Sequence, residues 1–469
     1  MTSAFFFLVL LLSSSFLSDF QVVGSVGGKG THHVVEVSSL FPPNECSPSN
    51  GSINGSSAMP VVHRHGPCSR ISGAKLGPQE ILLRDQLRVD SLQSRVSTRR
   101  RRAQPFRSSL VDQSTLEASY GASVNTANYI VTVGFGTPKK EMTVVFDTGS
   151  DLTWIQCEPC VGYCHSQKDP IFDPSESSTY YNISCGSPEC KELKSSTGSA
   201  GACSSSNCVY GLQYGDQSYS VGFFATETIT LGPHGAVPGF RFGCGEKNRG
   251  IFGNIAGVLG LGRDKVSLVT QSANRFKEVF SYCLPPSSSS TGYLSFGPKY
   301  PSDVRFTPLL AQDPPSFYFM DMVGIAVGGR RLPVAATVFS DAGTIIDSGT
   351  VITRLPPAAY SGLRTAFRRA MSQYPRAAAL SILDTCYDLT GYKTVTVPKL
   401  VLVFRGGLEV EVVFSGILYG TRVSQICLAF AGNSDDGDVG IFGNTQQRGY
   451  DVVYDAGKGR MGFGPGGCN

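Results

Sequence analysis

The chain has 469 residues, 54 of them glycine, and a formal net charge of +4. This length excludes a single small core and predicts two or three domains. Residues 1–120 contain 12 Lys/Arg and 8 Asp/Glu, whereas the remainder contains 28 of each, so the whole basic excess lies in the N-terminal segment. If that segment is removed, the charge balance excludes a bulk electrostatic attraction to nucleic acid.

The N-terminus has the pattern of a secretory signal peptide, which we place at residues 1–24. Its apolar run, Phe5–Leu12, is followed by small polar residues and is too short to span a bilayer. No Lys or Arg precedes the run, so an organelle transit segment is the alternative. No later stretch has 18 consecutive apolar residues, and we therefore expect no membrane anchor.

Residues 25–120 differ from the rest of the chain in composition and in predicted secondary structure. A helical stripe predicts an amphipathic helix over Pro78–Ser97. Its apolar positions are Leu82, Val89, Leu92 and Val96. The basic run Arg99–Arg102 follows, and it allows two interpretations. It is either a solvated linker or part of a propeptide whose arginines cover an acidic cleft until they are removed.

From Asn128 to the C-terminus, the sequence alternates Val, Ile and Phe with Gly- and Pro-containing turns, which predicts strands. The best helix candidate in this region is Pro356–Met371, with Tyr360, Leu363 and Phe367 on one face. The sequence therefore predicts an all-β protein with few helices.

An internal repeat organises the β region. The heptad VVFDTGS, which contains Asp147, returns 200 residues later as TIIDSGT, which contains Asp347. About a hundred residues after each copy comes an apolar-Gly element, Ala256–Gly262 and Val439–Asn444. One such tetrad alone is typical of a surface Asp turn. Two copies in the same order, each after an apolar strand, predict two similar β domains.

If the two domains face each other, the repeat brings two carboxylates together. Asp147 and Asp347 would then share one proton, because like charges within hydrogen-bonding distance cannot both ionise. The charged member can activate a water, and the protonated member can polarise a peptide carbonyl. The pattern therefore predicts peptide hydrolysis through a tetrahedral gem-diol.

The neighbours of each aspartate suit that chemistry. We expect Gly149 and Gly349 to allow a tight turn with N–H groups near the carboxylates. Ser150 and Thr350 are predicted to donate to the outer carboxylate oxygens. Finally, we expect Thr148 and Ser348 to form hydrogen bonds across the domain interface.

Several motifs resemble those of the pepsin-type aspartic proteases: FDTGSDLTW, QYGDQS, GVLGLGR, IIDSGT and GIFGNTQQRGYDVVYD. The cysteine pattern is similar to the plant nepenthesin-type branch, and HRHGPCS is closest to the chloroplast nucleoid DNA-binding-like members. The resemblance covers residues 61–469. It implies a bilobal fold of two related β-barrel-like lobes, with the active site between them. We place the propeptide at 25–120, the N-terminal lobe at 121–305 and the C-terminal lobe at 306–469.

The resemblance also assigns a flap, a hairpin that closes over the substrate. Tyr214 and Gly215 would lie at this flap, and Trp154 would hydrogen-bond the flap tyrosine. Gln217 departs from the family pattern, which has glycine there. A side chain at the turn predicts different backbone angles and a stiffer hairpin.

Fourteen cysteines predict disulfides in an oxidising compartment. A zinc site is disfavoured because only two histidines remain in the mature region, and a thioredoxin-type redox pair lacks its βαβ context. Sequence alone leaves the connectivity open. The resemblance implies six pairs: Cys157–Cys160, Cys164–Cys244, Cys185–Cys208, Cys190–Cys203, Cys283–Cys468 and Cys386–Cys427. Asn182 begins a glycosylation sequon, as do Asn50 and Asn54.

The expected protein is thus an aspartic endopeptidase made as a secreted zymogen and active at acid pH. It would be a monomer that acts on polypeptides, is blocked by pepstatin-type inhibitors, and needs no metal or cofactor. The apoplast is the expected location, with plastid or vacuole as alternatives. The alternative function is a catalytically weak, protease-like protein that acts by binding, either as an inhibitor or in association with nucleic acid.

Overall fold

A computed structural model describes residues 30–49, 57–71, 76–103, 128–214, 217–250 and 252–468, with the backbone alone for 98–103. From Thr31 onward the chain forms one compact unit. The predicted signal peptide, Gly215 and the sequons at Asn50 and Asn54 lie outside the described residues. In the part that is described, no helix is both long enough and apolar enough to cross a membrane.

Strands dominate the described chain. In the first half they are β1 (His32–Glu36), β2 (Met59–His63), β3 (Tyr129–Phe135), β4 (Lys140–Asp147), β5 (Trp154–Gln156), β6 (Tyr181–Asn182), β7 (Ala202–Ser204), β8 (Asn207–Gln213), β9 (Tyr219–Leu231), β10 (Gly235–Arg249), β11 (Gly257–Gly260), β12 (Val279–Cys283), β13 (Thr291–Phe296) and β14 (Arg305–Leu310). In the second half they are β15 (Tyr318–Met320), β16 (Met322–Val327), β17 (Arg330–Arg331), β18 (Thr344–Ile346), β19 (Thr353–Leu355), β20 (Arg376–Ala377), β21 (Cys386–Tyr387), β22 (Thr394–Pro398), β23 (Leu400–Phe404), β24 (Leu408–Val412), β25 (Leu418–Arg422), β26 (Gln425–Leu428), β27 (Phe430–Gly432), β28 (Gly440–Phe442), β29 (Tyr450–Asp455) and β30 (Arg460–Pro465).

Helices are few and mostly short. They are α1 (Pro78–Ala103), α2 (Pro188–Thr197), α3 (Leu268–Gln271), α4 (Ala273–Phe276), α5 (Thr337–Ser340), α6 (Pro357–Ala370), α7 (Phe414–Ile417) and α8 (Asn444–Gln447). Short 3-10 helices span Val37–Leu40, Pro174–Glu176 and Ala456–Lys458. The helix predicted at Pro356–Met371 is present as α6, and its predicted apolar face is buried.

The sequence repeat is a structural repeat. In the first copy, β4 runs parallel to β11, and Asp147 lies opposite Gly260. In the second, β18 runs parallel to β28, and Ile346 lies opposite Phe442. In each copy, a short strand then pairs antiparallel with the second of these strands: β5 pairs with β11, and β19 pairs with β28. The prediction of a mostly-β chain with two related lobes is confirmed.

Strands from distant parts of the sequence join the two lobes. β29 pairs antiparallel with β12, and β30 pairs with β14. The N-terminal segment also takes part, because β2 lies between β13 and β3 and pairs antiparallel with both. β1 forms a separate two-stranded sheet with β22. Residues 32–63 therefore supply strands to sheets of the folded body.

Helix α1 lies against the same body with its apolar stripe inward. The four residues predicted to form that stripe, Leu82, Val89, Leu92 and Val96, are all at most 3% exposed. Leu82 packs with Val351 and Ile352 in one cluster. The other three pack with residues that include Phe317 and Ile441 in a second cluster. The helix extends six residues beyond its predicted end, through the arginine run.

The disulfides correct four of the six implied pairs. Cys283–Cys468 and Cys386–Cys427 are joined as the resemblance implies. The first two corrected bonds are Cys157–Cys244 and Cys160–Cys164. Strand pairing explains the first bond: β5 runs beside β10 with Ile155 opposite Cys244, which places Cys157 close to Cys244. Cys160 then bonds to Cys164 instead of Cys157.

In the polar loop of the first lobe, the predicted nested pairs are wrong and the bonds are interleaved. They join Cys185 to Cys203 and Cys190 to Cys208. Cys190 lies on α2, and both it and Cys208 are buried in one apolar cluster, so these two thiols meet. A seventh bond joins Cys46 to Cys68 in the N-terminal segment, where no pair was assigned.

Candidate active site

The two predicted aspartates meet at the ends of the matching strands of the two lobes. Asp147 is the last residue of β4, and Asp347 follows β18. Their exposed fractions are 1% and 0%. Each carboxylate accepts a hydrogen bond from the glycine N–H two residues later, Gly149 or Gly349, at 3.1 Å. The symmetry of the repeat thus extends to individual hydrogen bonds.

Hydroxyl groups fix the outer oxygen of each carboxylate. Ser150 Oγ donates to Asp147 Oδ2 at 2.6 Å, and Thr350 Oγ1 donates to Asp347 Oδ2 at 2.5 Å. Because these donors hold one oxygen of each pair, the Oδ1 atoms are left to face the space between the lobes. This arrangement orients both carboxylates toward one common point.

The second residue of each tetrad crosses between the lobes. The Thr148 N–H donates to Ser348 Oγ at 3.1 Å, and the Ser348 N–H donates to Thr148 Oγ1 at 2.9 Å. Both side chains are buried. These reciprocal bonds hold the two turns in register, so the separation of the carboxylates is set by the backbone.

The tetrad glycines are needed for close approach. A Cβ atom on Gly149 would lie 2.8 Å from Asp347 Oδ1, and one on Gly349 would lie 2.3 Å from the Arg88 guanidinium carbon. Neither glycine has a positive φ. The sequence predicted that these glycines were needed for their turn conformation. The structure shows instead that they are needed for space, because a side chain here would collide with Asp347 or with Arg88.

An arginine from helix α1 occupies the point at which the carboxylates converge. Arg88 Nη2 lies 2.6 Å from Asp147 Oδ1 and 2.8 Å from Asp347 Oδ1. Its Nε also donates to Asp347 Oδ2 at 2.8 Å. The Arg88 side chain is fully buried. One guanidinium nitrogen thus bridges both inner oxygens.

This contact shifts the pKa of Asp347 and that of Arg88. Burial alone would raise the pKa of Asp347, but the charge and hydrogen bonds of Arg88, with those of Thr350 and Gly349, lower it below its ordinary value. Burial likewise opposes the charge on Arg88, and the two carboxylates more than offset this and raise its pKa. With Arg88 in place, the site therefore favours the ionised form of Asp347.

Further polar contacts fasten α1 to both lobes. Asp85 is fully buried; it accepts hydrogen bonds from the backbone N–H groups of Val351 at 2.6 Å and Ile352 at 3.1 Å, and it pairs with Arg354 at 3.0 Å. Burial raises the pKa of Asp85, against the opposing effect of these three partners. On the first lobe, Arg95 donates to the Gly149 carbonyl at 2.9 Å.

The predicted flap is the hairpin formed by β8 and β9. Tyr214 follows β8, is 4% exposed, and its hydroxyl accepts a hydrogen bond from Trp154 Nε1 at 2.6 Å. Gln217 donates its N–H to the Tyr214 carbonyl at 2.9 Å and has φ 65°. This is the left-handed region that glycine adopts freely. The turn therefore has a conformation that suits glycine, and Gln217 adopts it with backbone strain.

Comparison with known proteins places this geometry in a family. Family models described as "Xylanase inhibitor N-terminal" and "Xylanase inhibitor C-terminal" match residues 129–298 and 317–465. An aspartyl protease family protein of Arabidopsis thaliana is 52% identical over 444 residues, 93% of each chain. The chain belongs to the plant aspartyl protease family. The Arabidopsis aspartyl protease AED1 is 47% identical over 93% of this chain and 92% of its own.

More distant members of this aspartyl protease family and solved structures agree with the fold. The aspartic proteinase nepenthesin-2 of Nepenthes gracilis is 37% identical over 72% of this chain and 78% of its own. The crystal structure of edgp has a TM-score of 0.58 at 20% identity, covering 74% of this chain and 93% of its own. That of conglutin gamma from lupine seeds has a TM-score of 0.57 at 21% identity, covering 71% and 90%. At this level of identity, the similarity to these two structures supports the pepsin-like bilobal fold and nothing further.

Three charged residues of the candidate site were not predicted: Asp85, Arg88 and Arg354. The signal was present for the first two, because both lie among the apolar positions of the α1 stripe rather than opposite them. A charge on the buried face of an amphipathic helix needs a buried partner. Among the described residues, no group of three His, Cys, Asp or Glu side chains is arranged to hold a metal ion.

Proposed function

We propose that the chain is an aspartic endopeptidase made as a secreted zymogen, in which α1 blocks the site until it is removed. The observation that carries this is the bridging of both inner carboxylate oxygens by Arg88 Nη2. A group that approaches both oxygens this closely marks the position that a water would take after α1 leaves. Polypeptides are the substrates that the family relationship supports.

In the unblocked site, Asp147 and Asp347 would share one proton, because the compensating charge of Arg88 is gone. The ionised carboxylate takes a proton from the water as its oxygen attacks the peptide carbonyl carbon. The protonated carboxyl gives its proton to the carbonyl oxygen, which forms the gem-diol. The carboxyl that took the water proton then gives it to the nitrogen as the C–N bond breaks. The other carboxylate takes a proton from a gem-diol hydroxyl as the C=O bond forms. The products are a carboxylic acid and an amine, and the pair again holds one proton.

The flap completes this proposal. Tyr214, fixed by Trp154, lies at the base of a hairpin tip whose closure over a substrate would exclude water. Gly215 keeps its proposed place in the flap on the resemblance alone. The proposed domain limits, 121–305 and 306–469, enclose the two family-model matches.

Other expectations remain proposals of the same kind. We propose membership of the chloroplast nucleoid-type branch, a monomer in the apoplast, inhibition by pepstatin, and a glycan on Asn182, which is exposed at β6. Plastid or vacuole are the alternative locations. Nucleic-acid binding by the mature form is disfavoured by the balanced charge after residue 120.

The second candidate is a protein that acts by binding, and the description of the matching family models as xylanase inhibitors favours it. A dyad with a missing carboxylate or missing donors would favour that role. Here both tetrads are intact, and each carboxylate keeps its N–H and hydroxyl donors. The preserved hydrogen bonds therefore favour catalysis over a binding role.

The first test is cleavage of a denatured protein by the acid-activated chain. We expect Asp147→Asn and Asp347→Asn to lower the rate by at least about 10³-fold, because the pair acts as a unit, and pepstatin to inhibit the parent chain. Asp341→Asn, at an exposed position, serves as the matched control and should retain activity. Activity that survives both dyad substitutions would contradict the proposal.

The zymogen is tested by Arg88→Met in the full chain. The lowered pKa of Asp347 means that the Arg88 contact stabilises the closed state above the ordinary Asp pKa of about 3.9 and is lost as pH falls through the lowered pKa. We expect the variant to cleave a peptide at pH values where the parent chain is still blocked. Arg70→Met, at an exposed position of the same segment, should stay blocked. A variant as inactive as its parent would exclude Arg88 as the blocking group.

A further inference from the structure

Beside the dyad, the C-terminal lobe has a site that holds a carboxylate. Asp85 of α1 lies in it, with Val351 N–H at 2.6 Å, Ile352 N–H at 3.1 Å and Arg354 Nη2 at 3.0 Å. The Arg354 side chain is 1% exposed, and the Asp85 side chain is fully buried. Three donors therefore converge on one acidic side chain inside the protein.

The fold builds this site independently of α1. Val351 directly follows Thr350 of the second tetrad, and Arg354 lies on β19, which pairs with β27 and β28. Arg354 Nη1 donates to the Ile352 carbonyl at 2.8 Å, and this bond holds the guanidinium beside the two N–H groups. All three donors thus belong to the lobe that carries Asp347.

The spacing of Asp85 and Arg88 on α1 places the site close to the dyad. Asp85 precedes Arg88 by three residues, a rise of about 4.5 Å along a helix. An extended substrate advances by about 3.3 Å per residue. A side chain in this site would therefore belong to a residue within about three positions of the scissile bond.

Removal of α1 takes away the ion-pair partner of Arg354. Within the described residues, Asp85 is the only carboxylate in an ion pair with Arg354, and Arg354 Nε has no hydrogen-bond partner. A carboxylate from a ligand would restore charge-assisted hydrogen bonds to the three donors that Asp85 leaves. A neutral or basic side chain cannot do this.

On the basis of the proposed function, we propose that Arg354 and the Val351 and Ile352 N–H groups form a specificity subsite for an acidic side chain of the substrate. In the closed chain, Asp85 fills this subsite in place of a substrate Asp or Glu. The mature protease therefore selects cleavage sites with an acidic residue at one fixed position near the scissile bond.

The experiment compares cleavage sites of the activated parent chain and of Arg354→Gln in a denatured protein mixture, read by mass spectrometry at about pH 5, above the ordinary carboxyl pKa of about 3.9. The parent should enrich Asp and Glu at one position within three residues of the cut. On paired peptides that differ by Glu and Gln at that position, the parent should prefer Glu about tenfold in kcat/KM, and the variant should lose the preference. Arg330→Gln, exposed on β17, is the control and should keep it.

The remaining outcomes are decisive. Cleavage by the parent without fixed acidic enrichment contradicts the subsite and leaves the proposed protease intact. Enrichment that persists in Arg354→Gln also contradicts it. If no protein is cleaved at all, the proposed function fails and the subsite with it. Arg354→Lys keeps the charge without the planar fork, so it should retain part of the preference, and it replaces the Gln variant if that one fails to fold.

Discussion

Asp151 is a buried carboxyl immediately after the first tetrad, and it couples stability to pH. It is 1% exposed, and it accepts a hydrogen bond from the Asp264 N–H at 2.9 Å. Burial, with a contribution from the Asp264 charge, raises the pKa of Asp151 to about 7, although Arg95, Ser316 and the Asp264 N–H act in the opposite direction. The folded state therefore prefers Asp151 in its protonated form.

The sign of the pH dependence follows from that shift. Because the folded pKa lies above the unfolded value of about 3.9, the stabilising contribution is complete below about pH 4 and is lost as pH rises through about 7. We expect Asp151→Asn, which mimics the protonated form, to raise the free energy of unfolding at pH 8 by on the order of 3 kcal/mol relative to the parent. At pH 4 the two should be alike.

Thermal unfolding of the full chain between pH 4 and pH 8 provides the measurement. Asp341→Asn, which removes an exposed carboxylate, should follow the parent across the whole range. A parent and an Asp151→Asn variant with parallel curves would show that Asp151 does not titrate with folding.

The residues that could be predicted from the sequence are those with a repeated local pattern. Asp147 and Asp347 stand out because each follows an apolar strand and precedes the same hydroxyl–glycine pattern. Arg354 has no such pattern: it is one arginine among many until the fold brings it to Asp85. Tertiary structure decides which single charges pair over long sequence distances, and a periodic sequence pattern does not predict such pairs.

At the scale of elements, helix α1 and the β8–β9 hairpin come from different parts of the chain and are positioned in different ways. α1 is a helix because of its apolar stripe, and it is positioned by charged residues within that stripe, Asp85 and Arg88. The hairpin is positioned by strand register, with Gln213 opposite Tyr219, and by the Tyr214–Trp154 bond. The helix was predictable from its period, whereas its docking site was not.

The flap turn makes a prediction at this scale. Gln217 has φ 65°, where a β-branched residue is strained further and glycine is relaxed. We expect Gln217→Val to destabilise the closed turn by about 1 kcal/mol, which speeds hydrogen exchange of the flap amides about fivefold. Gln217→Gly is the matched control and should exchange no faster than the parent. Equal exchange in the Val variant and the parent would contradict the assigned turn conformation.

At the scale of the whole molecule, the repeat predicted two lobes, but the disulfides and the N-terminal strands had to be seen in space. Cys203 and Cys208 face each other across a hairpin and yet bond to Cys185 and Cys190. That choice depends on how α2 packs, which spacing along the chain does not encode. Likewise, nothing in residues 57–71 alone shows that β2 would complete a sheet of the body.

This last feature predicts that the N-terminal segment stabilises the whole chain. Val61 of β2 is fully buried and lies opposite Gly292 of β13, in a strand paired on both sides. Val61→Asp would place an unpaired charge in that sheet, and we expect it to lower the free energy of unfolding of the full chain by about 3 kcal/mol or more. Val34→Asp on β1 introduces the same charge where the side chain is 73% exposed, and it should have little effect. Chemical denaturation of both variants at pH 7 measures the difference. Equal midpoints would mean that β2 does not stabilise the folded chain, because an unpaired carboxylate buried in a stabilising strand must lower the free energy of unfolding.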